Sequence, residues 1–181
     1  LFQVLNDRGR GLTEGELLRA KTLELLDGPG TAIQSAIVEN AWDEILTQAA
    51  DAVERNLRWI YSSYSGKRPS QAQLFDDLLS QFFPSSIKAT QSTADVASVV
   101  AAVKQIRSDY AISTRLLDGE WPYEDDSPKA LAWDKSRLRI LTVELEHTNC
   151  MPLLIAAAYL EQSKFSEIVQ LLERFVFRYK L

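Results

Sequence analysis

Apolar residues in this chain recur at spacings of three and four almost throughout, and strand-like alternation is scarce. A period near 3.6 turns one stripe of side chains inward on a helix, whereas a half-buried strand needs a period of two, so the pattern predicts an all-α fold. The first helix is predicted from Thr13 to about Leu26, because Thr13 and Glu16 have capping-box spacing and Leu12 and Leu17 occupy the two positions of a hydrophobic staple. Asp27-Gly28-Pro29-Gly30 then ends it, glycine relaxing the helical backbone and proline withholding a donor. Thr31 is expected to cap a long second helix whose stripe runs unbroken from Ile33 through Trp42, Ile45, Val53 and Leu57 to Tyr64. Ser70 is expected to cap a third, ending at Pro84, and a fourth spans about Thr93 to Leu117. Ser127-Pro128 opens a fifth, carrying Trp133, Leu138, Leu141 and Leu145.

Two more helices, Pro152 to about Gln162 and Ser166 to Tyr179, complete the count. This final pair resembles one tetratricopeptide-like hairpin, but no second copy follows at a period of ~34 residues, which argues against a solenoid. The expected architecture is an irregular bundle of about six to eight helices in one domain over residues 1–181.

With 181 residues, 46% of them hydrophobic, the chain can bury its own core without covalent or metal staples. Cys150 is the sole cysteine and His147 the sole histidine, so neither an intramolecular disulfide nor a structural zinc site is available. The formal charge of −5 argues against a broad basic surface, though not against a local one. The longest apolar stretches, such as Met151 to Leu160, fall short of the roughly 20 residues of a membrane span, and no basic-then-apolar leader is seen, so a cytoplasmic protein is expected. The chain opens on Leu1-Phe2-Gln3-Val4-Leu5, an apolar segment already suggestive of structure, and a piece of a longer protein is therefore expected.

Asn6-Asp7-Arg8-Gly9-Arg10-Gly11 places two guanidinium groups and two glycines directly before a well-capped helix. That arrangement suits an anion: the helix N-terminus offers unpaired N–H groups, glycine admits a phosphate to the backbone, and arginine binds its oxygens bidentately. Asn6, Arg8, Gly9 and Arg10 are thus candidate nucleotide- or phosphate-binding residues. The same residues also make a plain polar turn between two helices.

The run Phe2, Leu5-Asn6, Arg8-Gly9, Leu12, Glu16-Leu17 and Arg19 resembles the motif F-x-x-L-N-x-R-G-x-x-L-x-x-x-D-L-x-K, with Glu16 for the usual aspartate and Arg19 for the usual lysine. That motif belongs to the ParB and sulfiredoxin-like N-terminal domain of GmrSD-type modification-dependent restriction endonucleases. A fainter likeness lies at Leu172 to Arg178, and the specific match covers about the first 25 residues. The resemblance implies a nucleotide-dependent DNA restriction or defence protein. It places Asn6, Arg8 and Gly9 at the edge of a nucleotide or DNA-sensing pocket whose other walls lie in an α/β region absent here. It also implies a nucleoside triphosphate with a divalent metal in the full-length protein, and in many members an HNH nuclease domain of the same chain. No aspartate-glycine-glutamine-glutamine-arginine motif occurs in this sequence, and one histidine cannot supply an HNH pair, so the chain alone is expected to be inactive.

Arg55, Arg58, Lys67 and Arg68 gather near the end of the second predicted helix with Trp59, Tyr61 and Tyr64, the composition of a DNA contact surface. Aromatics at helical spacing equally make core, and cations favour helix C-termini for the dipole alone. Lys135, Arg137 and Arg139 form a second basic group whose direction the sequence leaves open. His147 and Cys150 lack the third group of a nucleophilic site, so His147 reads as a helix C-terminal residue. Asp76-Asp77 and the cluster Glu120, Glu124, Asp125 and Asp126 read as solvated carboxylates, and no metal site is assigned. The competing function is a helical adaptor or scaffold that binds a protein partner. A free-standing enzyme ranks last, for want of any paired catalytic constellation.

Overall fold

The computed structural model describes residues 12–70, 73–83, 93–123 and 131–179. Among them are eight α-helices and no strand. They are α1 (Glu14–Leu25), α2 (Ala32–Leu46), α3 (Ala50–Ser65), α4 (Leu74–Phe82), α5 (Thr93–Leu117), α6 (Ala132–Arg139), α7 (Met151–Ala157) and α8 (Gln162–Tyr179). A π-helical segment, Ile140–Glu144, continues α6, and a 3₁₀ turn, Thr148–Cys150, precedes α7. The all-α expectation holds. Asn6, Arg8, Gly9 and Arg10, together with Ser127-Pro128, lie outside the described residues.

The capping box of α1 forms as its spacing implies: Glu16 N–H donates to Thr13 Oγ1 at 3.3 Å, and Thr13 N–H donates to Glu16 Oε2 at 2.7 Å. Two other expected caps do not form. Thr31 makes no capping bond to α2; its hydroxyl donates backwards to the carbonyls of Leu26 and Gly28 at 2.6 and 2.7 Å. The hydroxyl is turned to the carbonyls that follow α1, and Thr31 has φ −97° and ψ 4° rather than the extended backbone of a capping residue. Ser70 bonds the Gln73 side chain at 3.2 Å instead of capping, and α4 starts only at Leu74.

The long second helix is in fact two. The chain leaves the helix after Leu46, the Thr47 hydroxyl donating to the Glu44 carbonyl at 2.7 Å, and Ala49 is extended (φ −61°, ψ 142°) before α3 begins. The break lets each half find its own neighbours: α2 packs chiefly on α5, and α3 on α7 as well as α5. Ile33, read as part of the stripe, is left 74% exposed. The fifth helix also departs from expectation, since regular α-helix gives way to the π-segment after Arg139, and Trp133 stands 64% exposed rather than inward. In the terminal hairpin, α7 stops at Ala157 and α8 starts at Gln162, four residues before the predicted Ser166.

Two apolar cores result. The first joins α1, α2, α3, α4 and the first half of α5 around Leu18, Trp42, Leu57 and Ile106. The second joins the end of α5 to α6, α7 and α8 around Trp121, Leu138, Leu154 and Phe165. Helices α3 and α5 serve both, because Trp59 and Leu116 reach the second core while Leu57 and Val103 fill the first. A buried bond from Ser113 Oγ to Asn56 Oδ1, 2.5 Å long, ties these two helices together. Among the described residues no helix is long and apolar enough to cross a membrane.

Candidate functional site

Helix α3 divides its residues by angle. Val53, Leu57 and Ile60 turn into the first core, which leaves Arg55, Arg58 and Trp59 along the opposite flank. Gly66 caps the helix in the left-handed region (φ 66°), its N–H donating to the Ser62 carbonyl at 3.0 Å. That reversal brings Lys67 and Arg68 back beside the flank. All four cations singled out from sequence therefore line one groove of about 920 Å³ between α3 and α7. Such a volume lies within the range of ligand-binding clefts.

The cations are not equivalent. Arg58 is paired with Glu54 one turn earlier. The Arg55 guanidinium lies 5.4 Å from the centroid of the Trp59 ring, a cation–π contact. Arg55, Lys67 and Arg68 are exposed, and among the described residues none of them forms an ion pair. Among the described residues Asp51 and Glu54 are the only carboxylates on the lining, against four cations, within a chain of net charge −5.

The facing wall comes from a distant part of the sequence. Thr148, Asn149, Pro152 and Leu153 supply it, with no carboxylate among the described residues. Their placement depends on an irregular approach: the π-segment ends at Glu144, and Glu146 takes a left-handed backbone (φ 46°) uncommon for a residue with a Cβ. The His147 N–H donates to the Leu141 carbonyl at 3.0 Å, which closes this turn. Nothing in residues 144–153 announces such a wall, since its polar atoms gain meaning only from the cations across the groove.

Three sequence readings are separated here. Trp59 does line the groove, but Tyr61 packs against the first core and Tyr64 turns to α5, so the three aromatics share no surface. Arg137 is drawn to α8, 3.0 Å from Glu173, and stacks over Trp133; none of Lys135, Arg137 and Arg139 reaches the groove. Cys150 is buried, its thiol donating to the His147 carbonyl at 2.8 Å. His147 lies beyond the helical segment, not in its last turn.

A second polar cluster was not anticipated. Asp109 on α5 is fully buried, and its carboxylate accepts from Tyr64 at 2.9 Å, from Gln105 at 3.1 Å and from the Tyr159 hydroxyl. Burial pushes the Asp109 carboxyl above its ordinary range, against the opposing pull of these three bonds. The Tyr159 hydroxyl is pushed up to about 12, first by burial and then by its bond to Asp109. The cluster fastens α3, α5 and the α7–α8 turn together. These bonds give the cluster a structural role.

A further concavity of about 710 Å³ between α1 and the start of α2 is lined, among the described residues, by Leu12, Ala20, Leu23 and Leu26 together with Glu24 and Asp27. Among the described residues, no group of three or more histidines, cysteines or carboxylates is placed to hold a metal ion. Compared with known proteins, the chain is matched by no protein-family model and by no curated protein.

Proposed function

We propose that this chain is the helical portion of a GmrSD-like, nucleotide-dependent DNA restriction or defence protein, and that the α3–α7 groove is where it meets the phosphate backbone of nucleic acid. The observation that carries the reading is the convergence of Arg55, Arg58, Lys67 and Arg68 on one groove, three of them without a carboxylate partner among the described residues. Exposed cations concentrated on an otherwise acidic protein lose little on meeting phosphate, and counterion release favours the contact. In this reading Asn6, Arg8, Gly9 and Arg10 form one wall of a nucleotide site. The triphosphate, its divalent metal, the α/β region and an HNH domain belong to the longer protein, which is cytoplasmic.

Fluorescence anisotropy with labelled DNA tests the groove. The slope of log affinity against log salt should reflect about three to four phosphate contacts, and replacing Arg55, Lys67 and Arg68 by glutamine should remove most of it. Unchanged binding in the triple variant would remove the groove from the reading. In the full-length protein, nucleotide turnover unaffected by Arg8→Ala would remove the nucleotide role.

A second reading, a helical adaptor for a protein partner, draws on one observation. Leu171, Phe175 and Tyr179 stand 63%, 58% and 69% exposed at four-residue spacing along α8. A stripe of that kind is a common partner-binding face. Saturable capture of a protein, lost on Phe175→Glu, would favour this reading over the first.

A further inference from the structure

We infer that the α3–α7 groove takes a single-stranded nucleic acid rather than a duplex, its phosphates on the α3 wall and its bases against the α7 wall. The inference rests on the nucleic-acid reading above and narrows it to a substrate class.

The two walls differ in chemistry. On the α3 side stand Arg55, Lys67 and Arg68, exposed and free of ion pairs among the described residues. On the α7 side stand Asn149, Pro152 and Leu153, a carboxamide and two apolar side chains, with Leu153 still 50% exposed. Trp59 lies along the groove with the Arg55 guanidinium over its ring, a stacked pair that extends as a platform for a planar base. A charged wall facing an apolar and amide wall matches a ligand that is anionic along one edge and planar and polar along the other. An unpaired strand has that character, whereas a duplex hides its base faces in the stack.

Shape argues the same way. Duplex recognition commonly sends a protruding helix or ribbon into a groove of the DNA. Here the cations line a recess of about 920 Å³. A duplex laid across it would reach the rim cations while leaving Trp59 and Leu153 facing water. A single strand can enter, turn its bases to Leu153 and present one base edge to the Asn149 carboxamide. The left-handed Glu146 and the bond from the His147 N–H to Leu141 hold that wall in place before any ligand arrives, so little ordering is left to the binding step.

The test uses the full 181-residue chain. Its probes are a labelled oligothymidylate, a duplex of equal length, and inorganic polyphosphate as a competitor with charge but no bases. The single strand should bind at least about tenfold more tightly than the duplex, as stacking of one or two bases implies. Its binding should quench tryptophan emission, and Trp59→Phe, which keeps an aromatic in the second core, should abolish the quench. Leu153→Ser alters a half-exposed side chain and should weaken oligothymidylate several-fold while leaving polyphosphate competition unchanged. Equal or tighter duplex binding overturns the inference but leaves the nucleic-acid reading standing. Loss of oligothymidylate and polyphosphate in equal measure on Leu153→Ser, or no effect on either, also overturns it. If neither nucleic acid binds, or an acidic peptide binds in their place, the inference and the reading beneath it fall together.

Discussion

Asp109 shows how one buried carboxylate can order its surroundings. Its partners Tyr64 and Tyr159 come from α3 and from the turn after α7, so Asp109 links one edge of the groove to the other. Hydrogen bonds to a charged group are among the stronger ones, and Tyr159→Phe should cost about 1.5–3 kcal/mol in urea unfolding. The pH dependence follows from the raised tyrosine. Tyr159 moves from 10.0 to about 12 on folding, so the unfolded chain loses this proton first as pH rises. Its contribution is therefore whole below about pH 10 and is lost as pH climbs toward 12, and Tyr159→Phe should flatten that alkaline decline. Asp109, also raised, is protonated more readily in the folded chain. Its contribution is thus greatest on the acid side and falls as pH rises through the carboxylate range. In the groove, Glu54 holds Arg58, and Glu54→Gln should release that cation and tighten oligonucleotide binding roughly two- to fivefold, by the usual worth of a partly exposed ion pair.

Among the elements, α1 and the α5–α6 junction give the clearest expectations. Removing the Thr13 hydroxyl leaves the first-turn donor of Glu16 to water, and Thr13→Ala should destabilise by about 1 kcal/mol. Gly119, after α5, has φ 73°, and a Cβ there would stand 3.0 Å from the Arg139 backbone Cα. Left-handed strain alone is worth about 1–2 kcal/mol, and the backbone of α6 cannot rotate aside as a side chain could, so Gly119→Ala should cost more than that in urea unfolding. Both elements speak to legibility. The Thr13 cap was readable because both partners lie three residues apart. The split between α2 and α3 was not, because the apolar period runs on through residues 47–49 and only the separate neighbours of each half show why the helix must end there.

For the molecule as a whole, the question is whether two cores make one cooperative unit. Helices α3 and α5 pass through both, and the Ser113–Asn56 bond couples them in the interior. Unfolding should therefore be a single transition, with far-UV circular dichroism and tryptophan fluorescence coincident. Phe165 is fully buried, its ring 4.9 Å from that of Trp121. Phe165→Ala should lower stability by about 3–5 kcal/mol and move the whole transition, the first core included. Two separated transitions would instead show that the cores stand alone.

The helical period decided the fold class, and the capping box decided where α1 starts, because both depend on neighbours three or four residues apart. The cluster of cations near the end of α3 was legible for the same reason. Their convergence on a groove was not, since it needed Gly66 to reverse the chain and α7 to supply a facing wall some 80 residues later. The Asp109 cluster was equally hidden, joining residues 45 and 50 positions away along the chain. Local geometry fixes which residues share a helix face. Only tertiary packing decides what that face meets, because its partners are chosen by burial and hydrogen bonding across the whole chain.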